Sequence, residues 1–446
     1  MNNSIAAIAT AHGVSSISII RVSGEAALTI AHKISHLEKI IPRHAHLTSL
    51  YNAQDDLIDH AIMIYFVAPY SFTGEDIVEF QCHGGMIVAQ EILDSILSYG
   101  VRLAQPGEFS KRAFLNGKID LTEAEAISKL IEAKSVDAAK ILAKQMKGEL
   151  KTFVDESREA LLRSLAYSEV MIDYAEEDIP DDIMESIVSQ LDGLSSKIEQ
   201  IVDASHRRRG LIEGFKVAII GKPNVGKSSL LNALLSYDRA IVSDIAGTTR
   251  DTIEEQVRIG SHIIRLVDTA GIRESEDTIE KIGIERSLSS VEDADVIVAL
   301  FDYSRPFDSE DEKIFSILET LEDKHIIVAL NKSDLEHVFV IDKSHKYDMI
   351  EVSAKKAFVK LTEKLKNLFD SIGEGEELML ISTRQIEAVT KAKSAILEAK
   401  IPLLEGELEF FSYHLQEAVK SISSISKPYD SEEILDKMFG EFCLGK

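Results

Sequence analysis

Residues 221–228 read GKPNVGKS, which is the pattern Gly-x-x-x-x-Gly-Lys-Ser. An apolar, β-branched run precedes the pattern at residues 215–220, and residues 229–235 after it have the composition of a helix. Glycines in such a loop let successive backbone N–H groups surround phosphates, and the helix N-terminus adds positive potential. The stretch therefore predicts a phosphate-binding loop between a buried strand and a helix, in an α/β domain.

Two side chains of this loop have predicted roles of their own. Lys227 is expected to reach the outer phosphates of a nucleotide, and the Ser228 hydroxyl is expected to ligate Mg²⁺. Because a short glycine pattern alone also occurs by chance, the interpretation depends on further segments. The predicted nucleotide contacts in this loop are Asn224, Val225, Gly226, Lys227, Ser228 and Ser229.

Three further segments follow in the order that a GTPase requires, each after an apolar run. They are DTAG at 268–271, NKSD at 331–334 and SAK at 353–355. Open α/β sheets bind ligands at the carboxyl ends of their strands, where these segments are expected. Asp268 is expected to hold Mg²⁺ through water, and the Gly271 amide to contact the γ-phosphate. The predicted nucleotide contacts in these segments are Asp268, Thr269, Ala270, Gly271, Asn331, Lys332, Asp334, Ser353, Ala354 and Lys355.

Asp334 determines the predicted base. Its carboxylate can accept two hydrogen bonds from guanine, through the ring N–H and the exocyclic amine, and adenine offers neither donor there. An unpaired buried charge is costly, so such a site discriminates strongly. Lys332 is expected to lie along the base plane, and Asn331 to tie this loop to the phosphate loop. GTP and GDP, rather than ATP, are the predicted ligands.

Hydrolysis needs a group that orients the attacking water. Ras-like sites use a glutamine after Asp-x-x-Gly, often with an arginine finger. Here Ile272 follows Gly271, and it can neither orient water nor donate a hydrogen bond. Asn224 and residues 243–251, which read SDIAGTTRD, are the candidates that remain.

With these segments the chain closely resembles the MnmE (TrmE) family of tRNA-modification GTPases, and the resemblance covers essentially the whole chain. It implies that K⁺ lies where an arginine finger would otherwise lie, and a fixed cation there stabilises charge developing on the phosphates. The implied K⁺ ligands are Asn224, Ser243, Ile245 and Thr248. The implied nucleotide contacts of the switch loop are Ser243, Asp244, Ile245, Ala246, Gly247, Thr248 and Thr249.

The resemblance implies two further roles in hydrolysis. Thr249 would ligate Mg²⁺ together with Ser228 when GTP is bound. Glu280 matches the glutamate with which the family orients the attacking water through a second water, and it is the implied catalytic residue. Without the resemblance, a solvated switch residue is the favoured interpretation of Glu280, because several acids crowd this loop.

Segments outside the GTPase part make the resemblance specific. They are residues 20–24, 71–80, 83–85, 112–118 and the C-terminal FCLGK at 442–446. The resemblance implies a folate-binding N-terminal domain, with a 5,10-methylene- or 5-formyl-type tetrahydrofolate as one-carbon donor. A carboxylate can accept two hydrogen bonds from a pterin edge, and cations can meet the carboxylates of folate. The implied folate contacts are Arg21, Glu79, Lys118 and Lys446.

Structural roles are considered for both cysteines. Cys82 and His83 together lack the ligand count of a zinc site, so a buried structural pair is expected. Cys443 lies in the terminal motif, and both a chemical role and a packing role stay open for it. Two cysteines, no secretory segment and no apolar run near the ~20 residues that span a bilayer predict a cytoplasmic protein that does not act on a membrane.

The charge of the chain limits its contact with RNA. The 446 residues carry a formal net charge of −26, whereas a protein that binds nucleic acid alone usually has a basic face. The arginines at 207–209 are the obvious basic cluster, and a domain-boundary role is favoured over RNA contact. A partner protein is therefore expected to supply many of the contacts that bind tRNA. The resemblance implies a homodimer that joins the flavoprotein MnmG (GidA) in a heterotetramer or larger complex.

The predicted fold class is a multidomain chain. Residues 1–118 are predicted to form an α/β folate-binding-like domain that also dimerises. Residues 119–211 and 373–446 form two parts of one discontinuous α-helical bundle domain, and residues 212–372 form an inserted Ras-like P-loop α/β GTPase domain.

Two local features are predicted for the helical parts. Residues 122–125, which read TEAE, are interpreted as a capping box that opens the first part. Pro402 is expected to interrupt the helical pattern of the second part.

The implied function is that of a GTP-hydrolysing subunit of a tRNA-modifying enzyme. It would add a carboxymethylaminomethyl or aminomethyl group to C5 of the wobble uridine, with folate as one-carbon donor and the flavin on the partner. The alternatives are a ribosome-assembly GTPase and a regulatory switch GTPase without modification activity. Ribosome-assembly relatives usually carry an RNA-binding module after the GTPase domain or a second GTPase domain, and the sequence predicts neither.

Overall fold

The protein is described by a computed structural model. The described residues are 3–11, 13–133, 135–173, 181–237, 255–267, 291, 294–321, 324–341, 347–354, 358–375, 377–427, 432–440, 442 and 445. The chain divides into two compact units: the first comprises residues 1–131, 145–191 and 387–446, and the second comprises residues 132–144 and 192–386. The boundaries predicted from the sequence are finer than this division and stay predictions.

Both units contain strands and helices. The strands are β1 (Ile5–Ile8), β2 (Ile17–Ser23), β3 (His46–Tyr51), β4 (Leu57–Phe66), β5 (Ile77–His83), β6 (Arg102–Leu103), β7 (Phe215–Ile220), β8 (Glu255–Ile259), β9 (His262–Val267), β10 (Val296–Asp302), β11 (His325–Asn331) and β12 (Asp348–Glu351). The helices are α1 (Ala27–Ser35), α2 (Met86–Ser98), α3 (Glu108–Leu115), α4 (Leu121–Glu132), α5 (Val136–Met146), α6 (Glu149–Asp173), α7 (Asp181–Glu213), α8 (Lys227–Tyr237), α9 (Ser309–Glu319), α10 (Val359–Gly373), α11 (Thr383–Glu405), α12 (Leu408–Ser426) and α13 (Glu432–Gly440).

The first unit begins with a six-stranded sheet in the order β3-β4-β5-β2-β1-β6. The pair β1–β6 is parallel and the other four pairs are antiparallel. Alternate residues of the strands, such as Val78 and Phe80 on β5, are fully buried with the apolar faces of α1 and α2. This period of two is what an antiparallel sheet covered by helices on one face requires.

Long helices complete the first unit. Helices α6 and α12 pack along each other, and the hydroxyls of Ser168 and Ser412 are hydrogen bonded across them at 2.8 Å. Helix α12 buries Phe411, Leu415 and Ala418, which recur at the spacing of one helical face. A bundle-like helical part on both sides of the GTPase segment, as the sequence predicts, therefore exists in the chain.

The capping box of α4 lies two residues earlier than predicted. Asp120 Oδ1 accepts a hydrogen bond from the Glu123 N–H at 2.9 Å, and Glu123 Oε2 accepts one from the Asp120 N–H at 2.8 Å. Thr122 lies inside the helix and donates its hydroxyl to Asp120. The aspartate is a better N-cap than the threonine because its carboxylate serves two donors at once.

The predicted interruption at Pro402 is wrong. Helix α11 passes through this proline and ends at Glu405, before Gly406. Gly406 has a φ of +78°, the left-handed conformation that commonly ends helices. The proline removes one backbone hydrogen bond near the C-terminus of the helix. The helix continues past it because the hydrogen bonds of the preceding turns remain.

The second unit contains another six-stranded sheet, in the order β12-β11-β10-β7-β9-β8. The pair β8–β9 is antiparallel, and the other four pairs are parallel. Every residue of β10 is buried, because one core cluster fills each face of the sheet. The carboxyl ends of β7, β10 and β11 therefore lie side by side at one edge, as the arrangement of the predicted segments requires.

None of the helices within the described ranges combines the length and the hydrophobicity needed to span a bilayer.

Candidate functional site

The phosphate loop connects β7 to α8, as predicted, and its glycines are sterically required. Gly226 has a φ of +99°, and a Cβ at that position would lie 2.3 Å from Nδ2 of Asn331. At Gly221 a Cβ would lie 2.4 Å from the carbonyl oxygen of Leu300. Asn224 adopts a left-handed φ of +64° without being glycine. The loop therefore passes so close to β10 and to residue 331 that side chains are excluded at both glycines.

Lys227 is folded over its own loop. Its Nζ donates to the carbonyl oxygens of Gly221 at 2.6 Å and Lys222 at 3.0 Å. Burial lowers the pKa of Lys227. The ammonium group is thus held against the first two residues of the loop that is predicted to surround the phosphates.

A buried ion cluster at Lys222 was not predicted. Its Nζ donates to Asp308 at 2.6 Å and to Asp311 at 2.7 Å, and the side chains of Lys222 and Asp311 are 7% and 0% exposed. Burial alone would lower the pKa of Lys222, but the hydrogen bonds to both aspartates outweigh it and raise that pKa. Lys222 occupies an unrestricted position of the loop pattern, so the motif itself gives no signal for this anchor to the start of α9.

Asn331 joins three of the predicted segments. Its Nδ2 donates to the Val225 carbonyl at 2.7 Å, and its Oδ1 accepts from the Ala354 N–H at 3.1 Å. Asp334 Oδ1 accepts from the Ser353 hydroxyl at 2.8 Å. The phosphate loop, the 331–334 loop and the 353–354 segment thus form one hydrogen-bonded site.

Lys332 lies across the same site. Its φ is +68°, and its Nζ donates to the Asn224 carbonyl at 2.9 Å and to Asp302 Oδ2 at 2.6 Å. Burial raises the pKa of Asp302, but hydrogen bonds from Lys332 and Ser304 outweigh it and hold this pKa below its usual range. Asp302 was missed from the sequence, although it ends an apolar strand in the same way as Asn331 does.

Several predicted residues lie outside the described residues, and their roles stay predictions. They are Ser243, Asp244, Ile245, Ala246, Gly247, Thr248, Thr249, Asp268, Thr269, Ala270, Gly271, Glu280, Lys355, Cys443 and Lys446.

Arg21 and Glu79, both predicted to contact folate, form an ion pair. They are directly opposite each other on β2 and β5, and Glu79 Oε1 accepts from Arg21 Nε at 2.9 Å and from Nη2 at 2.8 Å. The guanidinium lies 5.9 Å from the ring centroid of Phe72 and 5.6 Å from that of Phe109. Arg21 Nη1 and Glu79 Oε2 are outside this pair, so each residue keeps an atom that can serve a ligand.

Lys118 lies beside a neighbouring loop. A Cβ at Gly74, whose φ is +79°, would be 3.1 Å from Cε of Lys118. The Lys118 side chain is exposed and packs over that glycine. Asn116 anchors the same loop by donating Nδ2 to the Thr73 carbonyl at 2.7 Å.

A buried charge network next to these residues was also missed. Arg112 donates to both carboxylate oxygens of Glu75, to Glu108 Oε1 and to the Asn3 carbonyl. Both carboxylate oxygens of Glu108 also accept hydrogen bonds from Arg102. Burial alone raises the pKa of Glu108, but these hydrogen bonds outweigh it and lower the pKa to about 2. Nothing in the sequence pairs Glu75 with Arg112, because their contact depends on the tertiary fold.

The C-terminal motif reaches the first strand of the sheet. Gly445 is buried with a φ of +90°, and a Cβ there would lie 2.4 Å from the carbonyl oxygen of Ile8. Ile8 is opposite Ile20, the residue before Arg21. Phe439, on helix α13 before the tail, packs equally closely on the loop before α3. A Cβ at Gly107 in that loop would lie 2.2 Å from the Phe439 carbonyl oxygen. Gly445 thus lies against β1, the strand that pairs with the Arg21-bearing β2.

Two lesser expectations are also decided by the geometry. Arg208 is buried and donates to the carbonyl oxygens of Gly375 and Glu377, so it anchors backbone. The boundary role favoured for the arginine cluster agrees with that contact. Cys82 is buried as expected, and burial, with the nearby Asp59 charge, raises its pKa to about 11. His83 is 75% exposed and pairs with Asp59, so the expectation of a buried Cys–His pair is wrong.

The strand–loop–helix, the strand-end asparagine and its contact to the loop define a P-loop nucleotide-binding domain of the GTPase class. Two family models match the chain: the GTP-binding protein TrmE N-terminus over residues 4–118 and the MnmE helical domain over residues 121–443. The tRNA modification GTPase MnmE of Sulfurovum sp. (strain NBC37-1) is 85% identical over 446 residues, which is 100% of this chain and 99% of the relative. That of Aliarcobacter butzleri is 58% identical over 445 residues, with 100% and 99% coverage.

The chain belongs to the MnmE family of tRNA modification GTPases. The predicted family, fold class and overall function are thereby confirmed, and the alternative of a GTPase without modification activity has no support. A crystal structure of Era with MgGDPNP and nucleotides 1506–1542 of 16S ribosomal RNA matches 41% of this chain and 66% of its own, at 31% identity and a TM-score of 0.27. That overlap is too small to bear on fold or function.

Proposed function

We propose that this GTPase works with the flavoprotein MnmG (GidA) to add a carboxymethylaminomethyl or aminomethyl group to C5 of the wobble uridine. GTP hydrolysis in the second unit would drive a change that the folate and tRNA site requires. The full-length similarity to tRNA modification GTPases carries the proposal, and the hydrogen bond from Asn331 to the Val225 carbonyl supports its guanine-nucleotide part. That bond joins the base-recognition loop to the phosphate loop in the arrangement that a guanine nucleotide would bridge.

The residues around the loop fit a nucleotide with Mg²⁺. Gly221 and Gly226 let the loop lie against Leu300 and Asn331, where a Cβ would collide, and a loop held there would present its backbone N–H groups to phosphates. Lys227 would exchange its two loop carbonyls for phosphate oxygens, and Ser228 at the start of α8 would hold Mg²⁺ with Thr249. Asp334 would accept the two guanine donors while Ser353 fixes its carboxylate.

The proposed K⁺ site rests on one described residue. Asn224 is exposed in the loop and has a left-handed φ of +64°. It would bind K⁺ together with Ser243, Ile245 and Thr248, and the cation would stabilise charge on the phosphates. Glu280 would orient the attacking water.

The N-terminal cluster combines the charged and aromatic groups that a folate would need. Glu79 Oε2 and Arg21 Nη1 point outside their own pair, while Phe72 and Phe109 flank the guanidinium with aromatic surface. Lys118 and Lys446 would add cations for the folate carboxylates. Gly445, the described residue of the terminal motif beside Lys446 in the sequence, packs against Ile8. Folate would supply the one-carbon unit.

The assembly and location follow the same proposal. Two copies would pair through their N-terminal domains and join the flavoprotein as a heterotetramer or larger complex in the cytoplasm. The net charge of −26 favours a partner that supplies the cationic surface for tRNA.

Reconstitution tests the proposal. The purified chain, the flavoprotein from the same genome, unmodified tRNA, folate, glycine or ammonium, K⁺ and GTP would be combined, and tRNA nucleosides analysed by mass spectrometry. Modified wobble uridine should form only when both proteins and GTP are present. Formation without this chain or without GTP would contradict the proposal.

A further inference from the structure

The carboxylate of Asp302 is placed between the base-recognition loop and the phosphate loop, although neither motif contains it. Asp302 is the last residue of β10 and is opposite Asn331 in the parallel pair β10–β11. It is 2% exposed. Its Oδ1 accepts from the Ser304 hydroxyl at 2.7 Å and from the Ser304 N–H at 3.0 Å. Those two bonds hold the carboxylate, and its Oδ2 contacts Lys332 closely and the exposed Arg305 Nε more distantly, at 3.6 Å.

Lys332 uses that oxygen as one of two anchors. Its Nζ lies 2.6 Å from Asp302 Oδ2 and 2.9 Å from the Asn224 carbonyl oxygen. A lysine side chain has many rotamers, so without an anchor its ammonium would sample many positions. Asp302 thus holds the Lys332 ammonium next to the phosphate loop and restricts the lysine side chain to one conformation across the site.

We infer that Asp302 is a positioning residue for guanine-nucleotide binding, which fixes Lys332 across the base site and through it the Asn224 end of the phosphate loop. The inference rests on the proposed guanine site. Lys332 is expected to lie along the base plane, so the conformation of its side chain determines one side of the base pocket.

The effect should appear in binding more than in chemistry. The base remains bound in the same way in the ground state and in the transition state, and removing such uniform binding raises KM while leaving kcat unchanged. A purely structural role at the end of β10 would instead lower stability and affect both parameters.

A double-mutant cycle tests this inference. The dissociation constant of a fluorescent GDP analogue would be measured for wild type, Asp302→Asn, Lys332→Met and the double variant, each checked by thermal unfolding. Asparagine keeps the acceptor for Ser304 but removes the negative charge. We expect each single change to weaken binding about tenfold or more, and the double variant to lie within about twofold of Lys332→Met, because both act through one contact.

Asp348→Asn is the matched control, since Asp348 pairs with Lys364 at the amino end of β12, a strand that β11 separates from β10. It should leave GDP affinity unchanged. Wild-type affinity in a folded Asp302→Asn, or additive losses in the double variant, would overturn the inference. A wild-type chain that binds no guanine nucleotide would overturn the proposed function as well, so the two failures are distinguishable.

Discussion

Gly226 and Asn331 are in contact so close that no side chain fits between them. A Cβ on Gly226 would lie 2.3 Å from the Asn331 Nδ2 that donates to Val225. The glycine therefore does more than provide a left-handed φ, because its missing side chain lets the asparagine reach the loop. The phosphate loop and the base-recognition loop are held together at this point.

Replacing Gly226 should break that contact. In Gly226→Ala the new Cβ would displace the Asn331 amide, and the φ of +99° would be strained. We expect GTP binding to be lost and the free energy of unfolding to fall by about 1–3 kcal/mol. Gly193→Ala is the matched control, since Gly193 lies within α7 and a Cβ there meets nothing within 4 Å. The control should bind GTP normally, and unchanged GTP binding by Gly226→Ala would refute this account of the loop.

The cation dependence of hydrolysis tests the proposed role of Asn224. GTP hydrolysis by the pure chain should be faster in K⁺ than in Na⁺ at equal ionic strength, by about tenfold or more. Asn224→Ala should remove the difference while GDP affinity changes little, since the Asn224 carbonyl that Lys332 contacts is retained. Equal turnover in the two salts would mean that another residue or a partner completes the site.

The sequence correctly placed the phosphate loop after β7 and residues 331–334 after β11, because both follow apolar runs whose strand ends the sheet brings together. The contacts of Asn331 are local to those motifs. Lys222 and Arg112 could not be predicted in the same way, because their partners lie on distant segments with no shared pattern. The capping box of α4 was misplaced since Thr122 and Asp120 both precede a glutamate by three residues, and the sequence pattern does not rank them.

The N-terminal charge network should make stability depend on acid pH. Glu108 has a folded pKa of about 2, below its ordinary value of 4.5, so its stabilising contribution is complete above the unfolded pKa. That contribution, up to about 3 kcal/mol, is lost as pH falls from the ordinary value towards the folded pKa.

Glu108→Gln should therefore lower stability at neutral pH and flatten its dependence below about pH 4.5. Urea denaturation of the full chain at several pH values measures both effects. Glu409→Gln, at an exposed position of α12, should change neither. An unchanged pH dependence in Glu108→Gln would show that the Arg102 and Arg112 contacts do not stabilise the fold.

The C-terminal tail should be needed for modification and not for nucleotide binding. Removing residues 443–446 takes away Gly445, which packs against Ile8, and the lysine proposed to contact folate. We expect wobble-uridine modification to be lost in the reconstituted system while GDP affinity stays at the wild-type value. Lys446→Ala should lower folate binding, whereas Lys437→Ala, on the exposed face of α13, should not. Normal modification by the truncated chain would exclude the tail from the site.

A change of base specificity links the nucleotide site to the modification most directly. Xanthine carries a carbonyl where guanine carries its exocyclic amine, so Asp334→Asn offers an amide donor that matches XTP. In the reconstituted system this variant should modify tRNA with XTP and should lose activity with GTP by about 100-fold or more. Two results would contradict the claim that guanine-nucleotide hydrolysis in this chain drives tRNA modification. One is modification by the variant with GTP at the wild-type rate, and the other is modification by the wild type or the variant without any nucleotide.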